Sequence, residues 1–251
     1  MRRMALGTVV AIFAWHAIAY ADADDIRPNA PAPAVATSLI ERFLSAPDSE
    51  LTSYRAFRTL EAEARSGQLR ARLTAWTSLD PVRGFQYAIV EESGSNIVRQ
   101  KVLRAALEAE RSLSRTAEGA KGALTAANYV FTAGAEAEPG LTRINIHPKR
   151  HDTLLLEGSV LVTKADAELT QVEGFLVKRP SFWTRDVHVV RRYERIGGVR
   201  APISMQSTAR VLIVGRSTFS MAYRYASING NAVNGTSQEA VRVESYSERF
   251  R

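Results

Sequence analysis

Cysteine is absent from the 251 residues of the chain. That absence excludes disulfide staples, thiol nucleophiles, cysteine-ligated zinc, iron–sulfur clusters and a lipid-modified N-terminal cysteine. The familiar catalytic signatures are missing as well: there is no Gly-x-Ser-x-Gly elbow, P-loop, Gly-x-Gly-x-x-Gly or His-Glu-x-x-His. Histidine is scarce, at 4 residues. His147 and His151 have a spacing that joins metal ligands on a helix, but they flank Pro148 between two expected strands. His188 falls in mid-strand and reads as structural. Glu91 and Glu92 point to opposite faces of a strand, which removes paired acid–base chemistry. No catalytic residue, metal or cofactor is therefore expected.

Long apolar runs are also lacking. The longest, Met4 to Ile18, falls short of the ~20 residues that cross a membrane as a helix. It follows Arg2 and Arg3 and precedes Ala19-Tyr20-Ala21 and the acidic Asp22, Asp24 and Asp25. This order is that of a secretory signal peptide, so residues 1–21 are expected to be removed after Ala21 and the mature chain to be exported. Residues 22–36, DADDIRPNAPAPAVA, have no apolar period and read as a flexible leader. Residues 37–251 read as a single domain.

The net charge is +7, and only five of the 33 basic residues are lysines. The arginines are scattered rather than gathered into a stripe, so nucleic acid is not an expected partner. Weak peripheral attraction to anionic membrane surfaces fits the balance better. With 45% hydrophobic residues, 15 Gly and 9 Pro, the composition is that of a globular domain.

A short helix is expected over about Thr37 to Ser45, with Leu39, Ile40, Phe43 and Leu44 on one face and Pro47 beyond it. The pattern then changes to period two. Tyr54, Ala56, Arg58, Leu60 and Ala62 alternate with their neighbours; Ser66-Gly67 supplies a turn; Leu69, Ala71, Leu73 and Ala75 alternate again. Asp80-Pro81 and Gly84 mark the next turn, and Phe85, Tyr87 and Ile89 form one face of a third strand.

A long helix interrupts the strands. Ser95 and Asn96 are N-cap candidates, and Ile97, Val98, Val102, Leu103, Ala106, Leu107, Glu110 and Leu113 recur at helical spacing to about Arg115. Strands resume over about Tyr129 to Thr132, Thr142 to His147, Thr153 to Val162, Leu169 to Lys178, Asp186 to Arg195, Gln206 to Val214 and Ser217 to Ser227. No helix of a dozen residues separates them, so the fold class is α+β with an antiparallel sheet of about ten strands, which must curl.

The runs Leu154-Leu155-Leu156-Glu157-Gly158, Val172-Glu173-Gly174, Pro180-Ser181-Phe182-Trp183, Arg192-Tyr193-Glu194-Arg195 and Met221-Ala222-Tyr223-Arg224-Tyr225 resemble exported bacterial proteins of the LolA-like periplasmic lipoprotein-carrier superfamily. The resemblance covers roughly Ser38 to Asn231. It implies an unclosed antiparallel β-barrel whose concave face is covered by helices, enclosing an apolar cavity for lipid or lipoprotein acyl chains. Phe85, Tyr87, Phe182, Trp183, Phe219, Met221 and Tyr223 are the candidates to line such a cavity, because aromatic and methionine side chains adapt to flexible chains. Phe182 and Trp183 suit a rim, where an indole N–H keeps water.

Three other classes compete, one of them an enzyme, since a fold alone never excludes grafted chemistry. A sensor or scaffold domain of the same fold would bind an envelope protein partner. An outer-membrane barrel would need a continuous outward apolar band, against which Arg70, Arg72, Arg191, Arg192 and the amphipathic helix all speak.

Overall fold

Strand β1 (Tyr54–Ala64) already separates the two faces of the sheet: Tyr54, Ala56, Arg58, Leu60 and Ala62 are buried, whereas Arg55 and Glu61 are exposed. Period-two alternation places the first set on one face and the second on the other. The computed structural model describes residues 34–46, 49–114, 121–181, 184–212 and 215–233. The proposed signal segment, residues 22–33 of the proposed leader, and the rim candidates Phe182 and Trp183 lie outside the described residues.

Strands β1, β2 (Leu69–Asp80) and β3 (Gly84–Gly94) form one antiparallel meander. A second runs through β4 (Tyr129–Glu138), β5 (Leu141–Pro148), β6 (Leu156–Thr163), β7 (Leu169–Leu176), β8 (Thr184–Ile196), β9 (Val199–Val211) and β10 (Gly215–Ile228). The short β11 (Asn231–Ala232) pairs with β10. The two meanders join through β1 and β10, giving one 11-stranded antiparallel sheet in the order β3-β2-β1-β10-β9-β8-β7-β6-β5-β4.

Strands β3 and β4 are the two edges and do not pair with each other, so the barrel is unclosed. The chain between these edges is where the helices lie. Helix α2 (Asn96–Val98) passes into a π-helical segment (Arg99–Arg104) and then α3 (Ala105–Leu113). Val98, Leu103, Ala106 and Leu107 are buried against the concave face of β1, β2 and β3. Ser95 sits at the N-cap, as expected, but its side chain makes no capping hydrogen bond. Helix α1 (Ala34–Ser45) begins within the segment expected to be leader and packs against β4, with the Phe43 and Phe131 rings 5.9 Å apart.

Curling so many strands needs local irregularity. Register shifts occur between Thr74 and Ala75, Leu161 and Val162, and Arg192 and Tyr193, each a bulge that sharpens the bend. Gly158 and Gly174 face each other across β6 and β7, and a Cβ on Gly158 would fall 2.1 Å from the Glu173 carbonyl oxygen. Only glycine permits that approach.

Arg191 departs from the outward position used against a membrane barrel. It is 6% exposed and faces the interior, and Arg192 takes the outer face instead. Among the described residues, no helix is long and apolar enough to cross a membrane.

Candidate functional site

Four rungs of the β1–β10 ladder run along the concave face: Ala56 opposite Tyr225, Arg58 opposite Tyr223, Leu60 opposite Met221 and Ala62 opposite Phe219. Three of the four join apolar or aromatic groups. The Arg58 rung brings a guanidinium into the core, where it is 0% exposed.

The helix supplies its counter-charge. Glu110 of α3 falls one turn after Leu107 on the buried face and accepts from Arg58 Nη1 at 2.6 Å and Nη2 at 2.9 Å. Tyr54 donates its hydroxyl hydrogen to Glu110 at 3.3 Å and accepts a short hydrogen bond from Arg58 Nη2. The guanidinium carbon lies 4.4 Å from the Tyr223 ring centroid and 5.1 Å from that of Phe85, and Met221 Sδ is 3.5 Å from Nη1. Rings this close to a desolvated cation attract it.

Burial opposes the charge on Arg58, but the charge and hydrogen bonds of the Glu110 carboxylate outweigh that penalty, so the guanidinium is held well above its ordinary range. Burial also raises the Tyr54, Tyr223 and Tyr225 phenols, which therefore stay neutral. Arg191 adds a second buried guanidinium near Tyr193, Tyr223 and Glu110, with Nη2 3.5 Å from Met205 Sδ.

Glu92 fastens the π-helical segment to the β3 edge, accepting from Arg99 at 2.9 Å and from Arg104 at 2.9 and 2.8 Å. The Arg104 hydrogen bond holds the Glu92 carboxyl below its ordinary value against partial burial, and the charges of Arg104 and Arg99 add to the effect.

Beyond the Ala62–Phe219 rung, the concave face and the helix separate. A cavity of about 140 Å³ opens there, with Ala62, Leu69, Val98, Val102, Ala209 and Phe219 among its walls. Small residues on β1 and β9 make the space, and the helix roofs it. A second space of about 30 Å³ lies among Leu156, Val172, Val189, Arg191, Tyr193 and Met205.

Phe219, of the side chains expected to line a cavity, borders the space under the helix. Met221 and Tyr223 continue the same face toward Arg58, and Phe85 lies beneath that guanidinium. Tyr87 is half-buried at the β3 edge, where its hydroxyl is hydrogen-bonded to Glu108 and its ring lies under Arg111 at 5.6 Å. The sequence reading missed the Arg58–Glu110 pair, although each residue already occupied an apolar position in its own pattern.

No protein-family profile matches the chain, and no curated protein matches its sequence. Similar solved structures include a LolA superfamily protein from Nitrosomonas europaea, with TM-score 0.38 and 11% identity over 75% of this chain and 91% of that one. A domain assigned to outer membrane lipoprotein sorting from Vibrio parahaemolyticus gives TM-score 0.37 and 11% identity over 83% and 97% of the two chains. A DUF1329 family protein from Desulfovibrio piger gives TM-score 0.34 and 9% identity over 82% and 95%.

Proposed function

We propose that the protein is a non-catalytic binding or carrier protein for a lipid or acylated ligand, acting in the periplasm after removal of residues 1–21. The observation that carries the reading is the cavity of about 140 Å³ between the concave face and the helix, with its apolar walls. An apolar cavity of about 150 Å³ takes a benzene-sized guest, so this one suits about six carbons of a chain. Phe219 is the proposed aromatic contact, and Phe182 with Trp183 the proposed rim. Met221, Tyr223 and Phe85 stand farther along the concave face around Arg58, and Tyr87 lies at the β3 edge, so none of the four is among the cavity's walls.

In this reading, residues 37–251 act as one half-barrel domain, and the Arg58–Glu110 pair fixes the helix over the sheet while the ligand occupies the space beyond. The test is mass spectrometry of an organic extract of the protein purified from its own envelope. A stoichiometric co-purifying lipid or lipoprotein is the expected result. A lipid-free preparation carrying a stoichiometric protein partner would overturn it in favour of a sensor or scaffold.

A further inference from the structure

Two cations stand where the cavity meets solvent. Lys101 and Arg65 are both exposed and both border the space whose inner wall is Val102, Ala209 and Phe219. The one carboxylate in the same lining, Glu63, lies 3.2 Å from Arg70 Nε, outside the cavity wall, so its charge is already matched. Half-buried Ser217 and Thr218 add hydroxyls to the lining. The opening is therefore cationic and polar over an apolar interior.

Local backbone geometry places both cations. Lys101 and Val102 belong to the π-helical segment, and both border the cavity although they are consecutive. Wide π turns occur mostly as short insertions and often at functional sites. Arg65 starts the β1–β2 turn at φ 52°, followed by Ser66 at φ 53° and Gly67 at φ 89°. Consecutive left-handed residues are what a tight β-hairpin turn requires, and this turn sets the Arg65 side chain at the end of the cavity.

We propose that the cavity takes a single-chain amphiphile with an anionic head group, tail inward, and that Lys101 and Arg65 hold the head at the mouth. The volume suits part of one chain rather than several, and the charge at the mouth selects an anion over a neutral or cationic head. The inference rests on the acyl-binding reading above and adds to it the class of head group.

The test is calorimetric titration of the delipidated full chain with decanoate, decanol, decyltrimethylammonium and acetate, each below its micellar concentration. Decanoate is expected to bind in a 1:1 complex, more tightly than decanol, with decyltrimethylammonium weakest. Lys101→Ala and Arg65→Ala should each weaken decanoate by about threefold to fivefold, and Lys101→Glu by about tenfold, with decanol unchanged. Equal affinity for decanoate and decanol, or no response to Lys101→Glu, would overturn the head-group assignment while leaving acyl binding in place. Acetate binding as tightly as decanoate would show a bare anion site and overturn it too. Failure of every ten-carbon probe to bind would overturn the acyl reading itself, and this inference with it.

Discussion

Arg58 of β1 and Glu110 of α3 meet through hydrogen bonds of 2.6 and 2.9 Å where their side chains are 0% and 1% exposed. The pair spans the concave face and its helical cover, so it fixes how the helix lies on the sheet. Removing one partner strands the other. Glu110→Ala should cost about 3–5 kcal/mol, whereas Arg58→Met combined with Glu110→Leu should stay within about 1 kcal/mol of wild type or exceed it. For a domain of this size that separates the melting temperatures by roughly 10 °C. Thermal unfolding of the single and double variants decides the matter; a double variant as unstable as Glu110→Ala would show that the pair is needed for more than charge balance.

The alternation of β10 gives a sharper contrast between adjacent residues. Met221 is 1% exposed on the concave face, and Ala222 is exposed on the outer face. Met221→Lys places a further cation beside Arg58, whose Nη1 lies 3.5 Å from Met221 Sδ, and should cost several kcal/mol; Ala222→Lys should cost under about 1 kcal/mol. Denaturant titration of the two variants is the check. Equal costs would mean that both faces of β10 are covered.

Acid should loosen the helix from the β3 edge. The folded-state value of Glu92 lies below its ordinary one, chiefly through its Arg104 hydrogen bond. A group depressed in this way contributes stability above its unfolded value, and that stability is lost as pH falls through the folded value. Between about pH 5 and about pH 3, wild type should therefore lose more stability than Glu92→Gln. Parallel loss in the two proteins would show that the Arg99–Glu92–Arg104 contact contributes nothing in solution.

Ligand affinity should track the depth of the cavity. Each buried methylene contributes about 0.8 kcal/mol, or about fourfold in affinity, so straight-chain carboxylates should gain by that factor until the space is filled and by less thereafter. Ala62→Phe, which projects a ring into the space, should flatten the series. Calorimetry across chain lengths from butanoate to decanoate reads this directly; a slope untouched by Ala62→Phe would place the chain elsewhere.

Much of the sheet was legible because period two survives in β1, β2 and β10, where Leu60, Leu73 and Met221 are all inward as expected. The unclosed edge was implied by the resemblance and not by the pattern, which gives no sign of whether β3 and β4 pair. The Arg58–Glu110 contact was harder to read: its partners are 52 residues apart, and their meeting depends on where α3 crosses the sheet. A charge of each sign on two otherwise apolar faces was the available signal. The π-helical segment was hidden because Val102 follows Val98 at ordinary helical spacing; the five-residue step between the buried Val98 and Leu103 is the mark of the wide turn. The cavity depends on Ala62 and Ala209 being small where their neighbours are large, and a pattern of apolar positions does not carry that information. Arg191 was misplaced because it and Arg192 are adjacent, and the bulge after Arg192 lies within the same strand.

The most direct measurement is the anomalous difference map of crystals grown with 6-bromohexanoate. A bromine peak between Val98, Val102, Ala209 and Phe219 is the predicted result, with the carboxylate beside Lys101 and Arg65. A peak on the outer face of the sheet, or none in crystals whose protein binds the compound in solution, would contradict the claim that a chain enters between helix and half-barrel.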